Sequence, residues 1–187
     1  MTIRIRRARA ADLGTICRLR LQRTTWLAER GSDQWTREAR GLPIELFARA
    51  VRRSMRAGET WIAEVDGESA GTITVNDRAD DGLWSPGELA DAVVVHYMIV
   101  DLRFAGMRVG TALLAHAAAV ARVRRRTWVR LDAWTTNDGL HDYYRRAGFR
   151  LVRISSSAVS PSAALFERRT ASWSYGRAVV PFELQTQ

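Results

Sequence analysis

The residues Arg103 to Leu114, RFAGMRVGTALL, follow a solid apolar run, AVVVHYMIV (Ala92 to Val100), and lead into an alanine-rich segment. A strand that turns through glycines into a helix presents unpaired backbone N–H groups at the helix N-terminus, where the helix dipole adds to their attraction for an anion. A pyrophosphate fits such a turn. The spacing excludes two other phosphate loops, because Gly106 and Gly110 satisfy neither G-x-G-x-x-G nor G-x-x-x-x-G-K-[ST]. Arg108 stands between those glycines. If the turn is left-handed there, its β-carbon costs about 1 to 2 kcal/mol. A charge-assisted hydrogen bond from its guanidinium to a phosphate gains about 1.5 to 3 kcal/mol. The apolar run also holds His96, whose unperturbed pKa near 6.5 suits a base at neutral pH. A histidine hydrogen-bonded within the core is the other reading of it. Asp77, Asp80, Asp81, Glu88 and Asp91, in the loop before the run, compete for the base role.

Charge divides the chain. The formal net charge is +9 and the pI about 11.1, which suits nucleic acid, an anionic surface or a phosphorylated ligand. All 29 basic residues are arginine. A bias toward GC-rich codons explains this, and so does an enzyme of amines that avoids modifying itself. From Asn76 to Asp101, by contrast, acidic residues outnumber the single Arg78, which favours a cationic ligand on that side. The single cysteine, Cys17, cannot form an internal disulfide. With no signal peptide and no apolar stretch of about 18 residues, a soluble cytoplasmic protein is expected.

The elements that must position these residues can be read in order. Ile3 to Ala8 alternates as a strand, and Asp12 is placed to cap a helix with apolar positions Leu13, Ile16, Cys17 and Leu21, running toward Leu27 and ending at Gly31. Pro43 opens a second helix that lasts until Gly58. WIAEV and ESAGTITV flank Asp66-Gly67, a dipeptide that favours a tight hairpin. Ala92 to Val100 is apolar on both faces, as a central covered strand would be. Then come a helix from Gly110 to Arg124, a strand WVRLDAW, a helix from Asn137 to Ala147 ending at Gly148, and strands FRLVRIS and AALFER. At 187 residues the chain fits one domain, residues 1–169, with an extension at 170–187 whose role the sequence does not assign.

The turn resembles the [Q/R]-x-x-G-x-[G/A] motif of the GNAT superfamily of acyl-CoA-dependent N-acyltransferases. It lies in register with Ala105, Gly106, Met107, Arg108, Val109 and Gly110. Ala105 replaces the usual Gln or Arg, and Arg108 the usual central glycine. LDAWTTNDGLHDYYRRAGF is similar to that family's strand followed by N-x-x-[A/L]-x-x-x-Y-x-x-x-G-F, through Asn137, Leu140, Tyr144, Gly148 and Phe149. TTWLAERGSDQW, Thr24 to Trp35, also looks like the helix-to-helix region of small members. The resemblance implies an α/β (α+β) fold, a mixed, mostly antiparallel central sheet flanked by helices on both faces. It implies acetyl-CoA as acyl-donor cosubstrate and no metal. The coenzyme would be bound by Met98, Ile99 and Val100 on the strand, by Arg103, Ala105, Gly106, Met107, Arg108, Val109, Gly110 and Thr111 at the turn, and by Asn137, Leu140 and Tyr144 beyond. A homodimer is the family's default.

The implied chemistry is demanding. An alkylammonium titrates near pH 10.4, so at pH 7 freeing its lone pair costs about 4 to 5 kcal/mol. His96 is the base that the resemblance makes plausible. The thiolate leaves more easily if a hydroxyl donates to it, and Tyr144 holds the family's position for that group. Tyr143, about 100° away around the helix, is expected in the core. An amide near Ile99 or Val100 is placed to polarise the thioester carbonyl. Arg122, Arg124, Arg125 and Arg126 suit the negative end of the preceding helix. Trp26, Trp35, Trp61 and Trp84 are candidates to line an acceptor pocket for a small amine such as a polyamine, amino sugar or antibiotic. Two alternatives stand beside acetyl transfer: an acyl-CoA-binding module without turnover, and a transferase acting on charged tRNA or a protein amine.

Overall fold

The computed structural model describes residues 1–37, 42–156 and 161–173. The order is β1 (Ile3–Arg7), α1 (Leu13–Ala28), α2 (Ile44–Arg56), β2 (Thr60–Val65), β3 (Glu68–Asn76), the single-turn α3 (Pro86–Leu89), β4 (Ala92–Val100), α4 (Val109–Val123), β5 (Trp128–Ala133), α5 (Asp138–Arg146), β6 (Arg150–Ile154) and β7 (Ala164–Arg169). The strands form one sheet in the order β1-β2-β3-β4-β5-β7-β6. Only β4 and β5 run parallel; every other pair is antiparallel. The fold is thus the mixed, mostly antiparallel sheet that the resemblance implied, with helices on both faces. No helix among the described residues is long and apolar enough to cross a membrane. The expected extension lies almost wholly outside the described residues.

Local chemistry sets these elements. Asp66 and Gly67 take φ of 48° and 92°, the double positive turn that joins two right-twisted strands in two residues. Ser85 accepts a hydrogen bond from the Glu88 amide while the Glu88 carboxylate accepts from the Ser85 amide, a capping box that fixes α3 with Pro86 at its start. Asp12 does not cap α1 directly. Its carboxylate accepts from the Arg9 amide at 2.6 Å and from Arg6, closing the 3₁₀ turn Ala10–Asp12 one turn earlier. Along α1, Ile16, Leu19 and Leu27 are buried and Leu13 and Cys17 pack beside them, so the expected stripe holds except at Leu21, which is 51% exposed.

Each face of the sheet has its own core. On one, α1 and α2 bring Ile16, Leu19, Phe47 and Val51 onto Ile62 and Ile99. On the other, α4 lays Val109, Leu113, Ala117 and Ala121 over Ala63, Ile73, Val93 and Val95, and α5 adds Tyr144 against Phe149 and Phe166. Each such large side chain contributes about 1.5 to 3 kcal/mol of burial.

The feature that makes a site is a failure of pairing. β4 and β5 register only from Ala92↔Trp128 to Val95↔Leu131; beyond that they splay. On its other edge β4 carries a bulge, because Thr72↔Ile99 and Thr74↔His96 set three steps of β4 against two of β3. Tyr97 sits in that bulge with φ 49°, a left-handed conformation uncommon for a non-glycine residue. The cleft between His96–Val100 and Asp132–Trp134 passes from one face of the sheet to the other.

Candidate active site

At one end of the cleft is the glycine turn. Asp101 accepts from the Arg103 amide at 2.9 Å, starting a 3₁₀ turn at Leu102–Phe104, and Gly106 follows with φ 81°. Arg108 is left-handed, φ 60° and ψ 15°, and immediately precedes α4. The first bond of that helix runs from the Ala112 amide to the Arg108 carbonyl at 3.0 Å. The amides of Val109, Gly110 and Thr111 therefore have no partner within the helix. Arg108, Ala105, Gly106, Val109, Gly110 and Thr111 all line a cavity of about 1180 Å³. Met107 packs against the core, and Arg103 turns to Asp101 at 3.0 Å and Glu68 at 3.2 Å; neither lines the cavity.

From the turn the cavity follows β4. The Asp101 amide donates to the Ala70 carbonyl at 2.9 Å, which makes Gly71 and Val100 a non-hydrogen-bonded pair of the ladder. The N–H and C=O of Val100 consequently turn away from β3 toward the splayed edge. Arg23 of α1 donates to that carbonyl at 2.7 Å, leaving the Val100 N–H facing the gap. Met98 and Ile99 lie on opposite faces of the sheet, Met98 against the α4 core and Ile99 against the α1 and α2 core.

Two tyrosines approach from α5. Tyr144 is 6% exposed, packs on Phe149 and Phe166, and still lines the cavity; burial holds its hydroxyl far above the ordinary tyrosine range, with Tyr143 and Asp132 adding to the shift. Tyr143 is not simply core. Its ring reaches the start of α4, its buried hydroxyl has no hydrogen-bond partner among the described residues, and desolvation pushes its pKa up to about 12. Asn137 caps α5, its Oδ1 accepting from the Leu140 amide at 3.0 Å while its Nδ2 donates to Gln34 at 2.8 Å; both Asn137 and Leu140 line the cavity.

The opposite end of the cleft is acidic and aromatic. Asp80, Asp81 and Asp132 line it with Trp26, Trp35 and Trp134. Trp61 and Trp84 are buried elsewhere, Trp61 against His116 and Trp84 beneath Arg130 and Arg153, so they do not reach the acceptor side. The Trp134 indole donates to Asp33 at 2.9 Å, tying the rim of the cavity to the segment after α1. Among the sequence candidates for a base, Glu88 is held by Arg153 at a pKa of about 2 and Asp91 is lowered by bonds from Thr127. Asp77 pairs with Arg78 at the surface, and none of these three lines the cavity.

His96 does line the cavity. Its Nε2 lies 2.8 Å from the Arg78 carbonyl and 3.1 Å from Asn76 Oδ1, which itself accepts from the Arg78 amide at 3.0 Å. Both partners are acceptors, so Nε2 carries a proton. Desolvation lowers the pKa of the ring. Asp132 was missed in the sequence because it alternates with Arg130 in WVRLDAW as an ordinary outward strand charge does. In the structure it is the first β5 side chain beyond the last pair with β4, and desolvation with Asp80 nearby raises its pKa to about 7.

The sequence model of the acetyltransferase (GNAT) family matches residues 21–149. YesJ of Bacillus subtilis (strain 168), an uncharacterized N-acetyltransferase by name, is 28% identical over 149 residues, 78% of this chain and 81% of the relative. Among solved structures, a GNAT-family acetyltransferase from Listeria monocytogenes 4b F2365 superposes with a TM-score of 0.70 at 23% identity, covering 89% of this chain and 94% of that one. The PaiA N-acetyltransferase of Thermoplasma acidophilum, in complex with coenzyme A, gives a TM-score of 0.64 at 19% identity, covering 90% and 99%.

Proposed function

Because this chain belongs to the acetyltransferase (GNAT) family and is therefore an acyltransferase, we propose that it moves an acetyl group from acetyl-CoA to the primary amine of a small cationic molecule by direct attack on the thioester. The observation that carries this reading is the continuity of one cavity across the sheet. Unpaired amides and Arg108 stand at one end, three aspartates and three tryptophans at the other.

The residues present fit coenzyme A. Its diphosphate suits the amides of Val109 to Thr111, and the orphaned Tyr143 hydroxyl at the start of α4 is a buried donor that wants a polar ligand. Acetyl-CoA supplies the activated acyl carbon. The Val100 N–H is aimed to donate a hydrogen bond to the arm's carbonyl oxygen, in the manner of an oxyanion donor. The Tyr144 hydroxyl, kept protonated at rest by burial, is a proton donor for the departing sulfur. On the other side the carboxylates of Asp80, Asp81 and Asp132 favour a cation, while Trp26 and Trp35, already stacked with Arg30 and Arg20, offer their apolar edges to its body.

Thermal-shift titration with acetyl-CoA, longer acyl-CoAs and NAD, followed by an amine panel monitored for free thiol, tests the proposal. Stabilisation by acetyl-CoA and thiol release with cationic amines are expected. Indifference to acetyl-CoA, or turnover only with anionic amines, would contradict it.

A further inference from the structure

We propose that Asp132 is the catalytic residue that takes the proton from the acceptor ammonium, with His96 a positioning residue that holds the loop bordering the cleft. The inference rests on the acyl-transfer reading above and goes beyond it by naming the base and the face from which the amine arrives.

Sheet geometry carries the argument. Leu131 pairs with Phe166, in the α4 core, and Asp132 pairs with Leu165, which belongs to the separate cluster around Leu83 and Trp84 on the other face. On β4, Tyr97 and Ile99 pack with α1 and α2, whereas Met98 and Val100 pack with the α4 core. Asp132 therefore stands on the α1 and α2 side of the opening, and Tyr144 on the α4 and α5 side. A proton acceptor and a proton donor face one gap from opposite sides, as two protons moving in opposite directions require.

The groups facing Asp132 are Asp80 from the loop after β3, Tyr97 from β4 and Tyr144 from α5; His96 faces Asp80. None of these offers Asp132 a permanent cation. Arg20 and Arg53 face Tyr97, and among the described residues Asp132 has no ion pair that would keep the carboxylate weakly basic, unlike Glu88 with Arg153. Ionised, it is a natural partner for an incoming ammonium. His96 is placed differently: its Nε2 proton is committed to Arg78 and Asn76, which anchors the chain leading to Asp80 and Asp81.

The step balances. The ammonium N–H bond breaks and its proton goes to the Asp132 carboxylate. The freed lone pair forms the C–N bond to the thioester carbon. As the C–S bond breaks, sulfur takes a proton from the Tyr144 hydroxyl, which recovers one from the second amine hydrogen. Asp132 returns its proton to solvent.

The test is thiol release from acetyl-CoA with 1,4-diaminobutane and 2-phenylethylamine, as a function of pH, in wild type, Asp132→Asn, Asp132→Glu and His96→Gln. Folding and acetyl-CoA binding are checked in each by thermal shift. The wild-type kcat is expected to rise with pH along a limb with its midpoint near 7. Asp132→Asn should lose about 10²-fold or more and the limb with it. Asp132→Glu should recover part of the rate with a displaced limb. His96→Gln should retain the limb while losing rate through the loop. If wild type turns over and Asp132→Asn keeps both rate and limb, the assignment is overturned while acyl transfer stands. A limb lost in His96→Gln and kept in Asp132→Asn would overturn it in favour of His96. If wild type is neither stabilised by acetyl-CoA nor active with any amine, the underlying reading falls instead.

Discussion

The hydroxyl of Tyr143 rests on the backbone of Gly110: a β-carbon built on that glycine would lie 2.3 Å from it. Glycine is required there by the close approach of α5 to the first turn of α4. Gly110→Ala is expected to destabilise by about 1 to 3 kcal/mol through overpacking and to raise the KM for acetyl-CoA, since the shifted ring intrudes where the amides are free. Tyr143→Phe in the same chain should restore part of the stability but not the KM, because the hydroxyl offered to the coenzyme is lost with the clash. Denaturant melts and acetyl-CoA titrations of the two single variants and the double variant check this.

Arg108 couples two opposite effects. Its φ of 60° strains a residue with a β-carbon, so Arg108→Gly should gain about 1 kcal/mol, a rise of a few degrees in Tm. Loss of the guanidinium at the cavity wall should weaken acetyl-CoA binding by about 10-fold or more. Parallel melting curves and calorimetric titrations read both signs.

Tyr144→Phe removes the proposed donor while keeping the ring that packs on Phe149 and Phe166. The expected result is a fall in kcat of about 10²-fold with the KM for acetyl-CoA little changed. A change confined to KM would instead assign the hydroxyl to binding.

Asp132 makes stability depend on pH. Folded, its carboxyl titrates near 7, whereas its ordinary value is 3.8. A group raised on folding contributes most below its unfolded pKa, and that contribution is lost as pH rises through the folded value. Wild type should therefore lose stability relative to Asp132→Asn between about pH 4 and 7, leaving the variant several degrees more stable at pH 8. Melting curves across that range settle the sign.

Glu167 tests the frame apart from the chemistry. It is 3% exposed and accepts from Arg130 at 2.7 Å and from Arg150. Glu167→Ala leaves the buried Arg130 without its counter-charge, at a cost of about 3 to 5 kcal/mol. Tm should fall by about 10 °C with the KM for acetyl-CoA unchanged in the protein that remains folded.

The legible parts of this protein were those fixed by local chemistry. Asp66-Gly67 announced its hairpin because few dipeptides accept two positive φ values. The glycine turn, Asn137 and Tyr144 stood in recognisable spacing, and the cavity reaches all three. What escaped depends on tertiary geometry. No glycine marks the bulge at Tyr97. Asp132 becomes a cavity residue only because β5 leaves β4 after Leu131, and nothing within WVRLDAW encodes that departure. Tyr143 looked like core because helix angles alone place it away from Tyr144, yet the cavity is broad enough to reach both. Leu21 fitted the helical stripe, but the buried face of α1 passes through Leu19 and Arg20 and leaves it exposed.

A crystal structure with acetyl-CoA puts the central relationship to the most direct measurement. The diphosphate should lie within hydrogen-bond distance of the Val109, Gly110 and Thr111 amides, with the acetyl carbon in the gap between Asp132 and Tyr144. A coenzyme bound outside the cleft, or a cleft closed by the inward-turned side chain of Arg108, would contradict the account.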